Sequence, residues 1–454
     1  MNKLIVWISV LFLFTFPIFA EEAAASGSED EKKEEKEEIV SLNEDRRAIL
    51  KYGIDSELIS LISKLKEEDN KELSSDVAEI YAETLNPDIM KSAVDYFISI
   101  DYPDAVPAAE AILSNWEDEN FNTLSSALRY ISEYPGENSE QLISHLIEHE
   151  NNNLASAALA AIGKCGSELS SDLLLDFLDD DDYPDELKPS IIKALGEMKS
   201  ENAVDTLIEI LEDIDEEKSW RWTACEALGK IGHSDALPAI TEALTDKDTY
   251  LRSYAIKALA GFDGVEQTLI QALRDSFWRV RVAAAEALGE RKTAEAVDIL
   301  IYKAEKDPEN NVKLAAITAL GEISSREGLD FLRELYSKNT AAQSLRTKAA
   351  EIIIEKDLPA SIDTIKSVLS EEWEKETSAV LSYTCKFLSK SENPDLKEVF
   401  ARMMDHNDVA VKIYGIRGVQ LNRITDYKER VESLTKEGVN NAVRKAALSA
   451  LESL

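Results

Sequence analysis

The sequence predicts an all-α chain folded as an α-solenoid, a stack of helix pairs, and three observations carry that prediction. The stretch Phe277 to Glu290, FWRVRVAAAEALGE, puts Arg281, Ala284, Ala287 and Leu288 on one face at 3.6 residues per turn. That face recurs along the chain. Arg221, Ala224, Ala227 and Leu228 repeat it, as do Arg252, Ala255, Ala258 and Leu259, and Lys313, Ala316, Ala319 and Leu320. The third observation is compositional: 16 Gly, 11 Pro and no alternation of the β type in 454 residues.

Equivalent positions Gly196, Gly229, Ala260, Gly289 and Gly321 lie 33, 31, 29 and 32 residues apart. Self-similarity at that period marks an array in which each unit packs only on its neighbours. Alanine fills positions of the packed face where a bulkier residue would sit, so a neighbouring helix must approach closely. Gly289 reads as a flexible stop for its helix, and Asp275 as a carboxylate near its start.

Taken from the beginning, residues 1–20 read as a secretory signal peptide. Lys3 supplies a positive start, Leu4 to Phe16 an apolar core, and Ala20 a small residue at the cut. That core falls short of the ~20 residues that span a bilayer, and no later segment is long and apolar enough. Residues 21–43 open on EEAAASGSEDEKKEEKEE and read as an acidic, disordered tether.

From residue 44 to 454 helices come in pairs. The first are Glu44–Tyr52 with Ser56–Lys66, Leu73–Leu85 with Asp88–Ile100, Asp104–Trp116 with Phe121–Ser132, and Ser139–Glu150 with Leu154–Lys164. The middle pairs join Asn202–Asp213 to Trp220–Lys230, Asp235–Thr245 to Tyr250–Ala260, and Val265–Arg274 to Trp278–Gly289. About five more run from Ala294 to the end, which makes about 13 pairs in all. Asn-Pro, Tyr-Pro, Asp-rich and Gly-containing turns mark the boundaries.

The residues separate this array from others of similar period. There is no T-P-L-H turn and no tetratricopeptide aromatic pattern. A turn Asp followed six positions later by a cation recurs instead, as Asp215/Arg221, Asp246/Arg252, Asp275/Arg281 and Asp307/Lys313. The chain resembles HEAT repeats, in the short form also found in phycobilin-lyase-like HEAT proteins. The resemblance implies a right-handed superhelix whose concave wall is lined by the second helix of each pair. It also implies a ladder between repeats. Each Asp would cap its helix and share its carboxylate with the next repeat's cation.

Such a wall binds extended protein partners. Three of the five Trp beyond residue 20 fall between Trp220 and Trp278. Trp222, Tyr254, Phe277, Trp278 and Arg279 are the candidate partner-binding residues, because aromatics beside Arg make interaction hot spots. Trp222, Tyr254 and Arg279 should face outward, while Trp220 takes the slot of Leu251 and Val280 and should be core. Core aromatics plus ladder cations is the plainer reading of the same stretch.

The net charge of −38 argues against nucleic acid and anionic membrane as partners and favours basic proteins or divalent cations. Two motifs suggest other chemistry. His145-Leu146-Ile147-Glu148-His149 spells H-x-x-E-H, whose histidines would share a helix face and hold Zn²⁺ with Glu148 as base. Asp179 to Glu186, DDDDYPDE, clusters carboxylates for Ca²⁺ but lacks the EF-hand spacing. No phosphate-binding loop, nucleophile elbow or dinucleotide pattern occurs, so no cofactor is called for. Cys165, Cys225 and Cys385 read as small buried apolar residues. The absence of any N-x-[ST] sequon favours a bacterial envelope, so the sequence points to an exported, non-enzymatic, periplasmic scaffold.

Overall fold

The computed structural model describes residues 42–375 and 377–454, and every regular element among them is helical. The leader of residues 1–20, and the tether up to residue 41, lie outside the described residues. The chain divides into two compact units, one ending at Cys165 and one beginning at Gly166.

The first unit holds four pairs: α1 (42–52) with α2 (Asp55–Glu67), α3 (Ser74–Glu83) with α4 (Pro87–Ile100), α5 (Val106–Ser114) with α6 (Phe121–Glu133), and α7 (Ser139–Ile147) with α8 (Asn152–Cys165). Helix α1 is already helical at residue 42, ahead of the expected boundary at Glu44, and Asn43 is buried there. Its amide donates to Glu72 at 2.5 Å and its carbonyl accepts from Asn70. Asn86 and Asn120 cap α4 and α6 by accepting backbone N–H groups of the first turn, and Pro87 starts α4 where no N–H is needed.

Large rings fill this unit's core. Tyr81, Tyr96, Phe97 and Tyr130 are fully buried, and Tyr81 meets Phe97 edge-on at 5.8 Å. Two of the hydroxyls reach back one repeat. Tyr96 donates to the Asn70 carbonyl at 2.5 Å and Tyr130 to the Tyr102 carbonyl at 2.7 Å, so each ring latches the loop before its own pair.

The second unit pairs α9 (Glu168–Asp179) with α10 (Lys188–Met198), α11 (Val204–Glu212) with α12 (Lys218–Ile231), α13 (Ala236–Ala243) with α14 (Thr249–Leu259), and α15 (Glu266–Ala272) with α16 (Trp278–Glu290). Helix α17 (Val297–Lys306) pairs with α18 (Asn310–Ile323), followed by α19 (Arg326–Ser337) and the long α20 (Gln343–Glu372). The chain closes with α21 (Ala379–Leu388), α22 (Lys397–Asp405), α23 (Val409–Leu421), α24 (Lys428–Ser433) and α25 (Asn441–Leu451).

Helix α20 is two arms. Asp357 breaks it with φ −149° and ψ 38°, and Pro359 follows, which lacks the N–H a continuous helix would use. Arg333 hydrogen-bonds the Asp357 carboxylate at the break. The first arm is the second helix of one pair and the other arm opens the next pair. Counted so, the described residues hold thirteen pairs, and the chain is an all-α solenoid.

Neighbouring second helices touch where the sequence places Ala and Gly. A Cβ built on Gly229 would sit 2.5 Å from Ala258 Cα, and one on Gly196 2.7 Å from Ala227 Cα. Gly289 sits in the same slot against Ala319, so it does not end its helix, which runs on to Glu290. Its purpose is the near-contact of two backbones. At the ends of these helices, cross-repeat bonds take over from the tyrosine latches. Arg291 donates to the Ala260 carbonyl and Asn422 to the Ser391 carbonyl.

The contact at Gly229 is against backbone, which cannot swing aside. Overpacking of this kind costs roughly 1–3 kcal/mol or more. Gly229→Val should therefore lower the thermal midpoint followed by circular dichroism by several degrees. Gly261→Ala should leave it unchanged, because the nearest atom to its Cβ is 3.4 Å away.

Candidate functional site

The short segments before the second helices of the second unit hold a row of carboxylates. The Asp246 carboxylate accepts the N–H of Asp248, Asp275 that of Phe277 and Asp307 that of Glu309, so each closes its turn two residues on. Each also takes a guanidinium from the preceding repeat. Arg221 reaches Asp246 at 2.8 Å, while Arg252 on Asp275 and Arg281 on Asp307 are two-pronged at 2.7–2.9 Å. The same arginines bond the chain beside their own helices: Arg221 the Leu211 carbonyl, Arg252 that of Asp246 and Arg281 that of Asp275.

The ladder thus runs opposite to the expected direction, the cation coming from the repeat before and not the repeat after. The geometry explains it. A side chain six residues beyond its own turn has its stem packed against that turn, and only its fork extends to the following one. Two expected members drop out. Asp215 is exposed, and in its turn the Asp213 carboxylate accepts the Asp215 N–H. Lys313 makes no ion pair among the described residues, because the following turn reads KNTAA and offers no carboxylate. The ladder resumes with a pair the six-residue spacing missed, Arg346 on Glu372 at 3.0 Å, with Arg346 also bonding the Tyr336 carbonyl. Arg281, Asp307, Arg346 and Glu372 are all buried.

Burial alone would disfavour charge at these carboxyls, yet bonded partners outweigh it and hold them below the ordinary range. The partners are Arg281, the Glu309 N–H and Lys303 for Asp307, and Lys375, Ser378 and Arg346 for Glu372.

Beside this ladder runs a strip of rings over three successive repeats. Trp222 stacks on Tyr254 at 6.0 Å with 14° between planes and meets Tyr250 at 5.5 Å. Tyr250 contacts Phe277 at 5.5 Å, and Phe277 contacts Trp278 at 6.2 Å. Arg279 lies over Trp278 at 4.7 Å and Tyr250 at 5.6 Å. The five candidate residues therefore come together, and Tyr250, 44% exposed, is the member that joins them.

Arg279 is exposed, while Trp222, Tyr254, Phe277 and Trp278 are half-buried and so less outward than their spacing suggested. Trp222 is fixed by its Nε1–H, which donates to Asp248 at 3.1 Å. Trp220 is not core: it is half-buried, with Lys188 over its ring at 5.5 Å, because the wide indole outgrows a slot that fits Leu251 and Val280.

Charge is segregated by layer in the second unit. Its second helices, with residues 343–356 of α20, carry 18 Lys or Arg against 7 Glu. Its first helices, with residues 358–372, carry 9 cations against 21 carboxylates. Five of the 18 cations turn inward to carboxylates: Lys188, Arg221, Arg252, Arg281 and Arg346. The remaining cations still outnumber the seven glutamates.

The other motifs do not assemble. Helix α7 ends at Ile147, so His149 lies past it and does not share a helix face with His145. His149 accepts the Asn151 N–H at 3.0 Å and packs edge-on against Trp116. The acidic stretch is a turn in which Asp180 accepts the Asp182 N–H, anchored by Tyr183 against Phe177 at 4.9 Å. No group of three or more His, Cys, Asp or Glu suited to a metal occurs among the described residues. The thiols are free, and burial pushes Cys165 up to about 11 and Cys225 to about 12, which makes both poor nucleophiles. No described helix is long and apolar enough to cross a membrane.

The family model for "Spirochaete HEAT repeat protein" matches residues 50–450. Among solved structures, the CpcE–CpcF complex of phycocyanin lyase from Nostoc sp. PCC7120 is 20% identical, with a TM-score of 0.33 over 52% of this chain and 98% of that one. Kap121p is 14% identical, with a TM-score of 0.45 over 89% of this chain and 52% of its own. The likeness is one of fold. No curated protein matches the chain.

The buried ladder pair makes a sharp test. Asp307→Ala strands Arg281 in the interior, a loss on the order of 3–5 kcal/mol. Urea unfolding should show it, and Arg281→Met with Asp307→Leu should recover most of it. Carboxyls held low in the folded chain stabilise it above their unfolded values near ~4 and lose that effect as pH falls through the folded ones. The thermal midpoint should therefore drop below about pH 4 in the unsubstituted chain, and less steeply in the double variant.

Proposed function

Since the chain belongs to the spirochaete HEAT repeat proteins, we propose that it is a non-enzymatic scaffold of the bacterial cell envelope that docks a protein partner on its second helices. The observation that carries this reading is the strip from Trp222 to Arg279. Buried aromatics explain themselves as core, as Tyr81 and Tyr130 do in the first unit. These rings are only half covered, touch across three repeats and are held in place by Asp248 and Arg279.

Rigid, partly exposed aromatics beside Arg give large contact area for little entropy loss, which is the composition of a binding hot spot. The export reading rests on the charged start, apolar core and small residue of residues 1–20. HEAT arrays commonly serve as protein-interaction scaffolds, and adjacent repeats present one extended surface.

Affinity capture from envelope extracts tests the proposal, using the mature chain beside a Trp222→Ala, Tyr254→Ala, Arg279→Ala variant. A partner retained by the first and lost by the second, with far-UV circular dichroism unchanged, is the expected result. Truncating hot-spot residues typically costs 2 kcal/mol or more each, about thirtyfold in Kd. Equal retention by both proteins would remove the strip from the binding surface.

A further inference from the structure

Whole-chain charge favours a basic partner, but a docked segment feels the charges within a Debye length of ~8–10 Å, not the sum over the molecule. On α12, α14 and α16 the cations outside the ladder are Lys218, Lys230, Lys257 and Arg279, and of these Lys218 and Lys230 already lie beside Asp248 and Glu226. Arg279 is the cation best placed to act. Its guanidinium carbon lies over the rings of Trp278 and Tyr250, and among the described residues it has neither a hydrogen-bond acceptor nor a carboxylate partner. A guanidinium offers five N–H donors in a rigid planar fork, and contact with two rings restricts where that fork can go. The free edge of a stacked, unpaired guanidinium is shaped for a two-pronged carboxylate.

Resting on the reading of the strip as the docking site, we propose that the segment bound there is acidic: an extended protein segment that lays apolar or aromatic side chains on Trp222, Tyr254 and Phe277 and gives a carboxylate to Arg279. Three repeats at ~10 Å spacing make a strip of about 20 Å, which some six extended residues cover. A segment with a few carboxylates suits this surface better than a nucleic acid. The latter's dense, continuous charge would also meet the 21 carboxylates of the first helices.

Fluorescence anisotropy with labelled ten-residue peptides decides it, using the full mature chain. The probes alternate leucine with aspartate, asparagine or lysine. The aspartate peptide should bind at least about tenfold more tightly than the asparagine one and weaken as salt is raised. Arg279→Gln should cost the aspartate peptide about tenfold more than it costs the asparagine peptide, a difference that general loss of structure would not produce. Failure of the aspartate peptide to bind, equal or tighter binding of the lysine peptide, or indifference to Arg279→Gln would each overturn the proposal. Tighter binding of a single-stranded oligonucleotide to the same surface would overturn it in favour of a polyanion site. If the Trp222-containing strip still captures a protein in envelope extracts while ignoring the aspartate peptide, the scaffold stands and only its acidic partner falls.

Discussion

The second unit depends on how closely its second helices can lie. A helix pair cannot bury its own apolar stripe, so each must lean on the next. Where α12 meets α14 the backbones come so near that Gly229 has no room for a Cβ against Ala258. Contact at that distance fixes the neighbour's position as well as its presence, and other features follow from it. Arg221, Arg252 and Arg281 can reach the following turn because that turn is held at one guanidinium's length. Rings two repeats apart in sequence become one surface for the same reason.

The two units satisfy the loop backbone differently. In the first, tyrosine hydroxyls latch the preceding loop and aromatic rings fill the core between repeats. In the second, arginine and asparagine make the latches, and alanine and glycine sit where neighbouring second helices touch. Gly229 on Ala258 and Gly196 on Ala227 bring two helix backbones into near-contact. Small cores bring helices together, so that charged side chains must bridge the turns. Burying such pairs is costly unless every donor finds an acceptor. For Arg281 and Asp307 the extra bonds from Arg281 to the Asp275 carbonyl and from Lys303 to Asp307 meet that need, whereas Arg346 keeps one buried nitrogen, Nη2, without an acceptor among the described residues.

Much of the fold was legible because one signal, the recurrent Arg-x-x-Ala-x-x-Ala-Leu face, encodes helix, face and period together. The pairs, their number and the close approach at alanine follow from it. Direction was not legible. A spacing of six residues between Asp275 and Arg281 is the same whichever repeat the guanidinium turns to, and only the packed stem decides. Arg346 with Glu372 was invisible for a related reason, since its carboxylate ends a helix where no turn motif marks it. Trp222, Tyr254, Phe277, Trp278 and Arg279 could be gathered from composition, and Tyr250 falls in the same aromatic stretch, but nothing in the sequence marks it as the ring that joins the others. The H-x-x-E-H match failed at a helix end, and helix ends are where a pattern of residues says least.

Summed charge and the charge of one helical layer are different quantities. A value of −38 is a property of the chain, whereas recognition is a property of one layer. The turn aspartates neutralise the ladder arginines, and the first helices of the second unit carry most of its helical carboxylates. What faces a partner on the second helices is a surface with the opposite bias. Segregation of this kind lets helical layers of opposite bias coexist in one strongly acidic chain. For the acidic segment proposed above, it sets a geometric condition: the segment must come within a Debye length of Arg279 before that contact outweighs the repulsion of the whole.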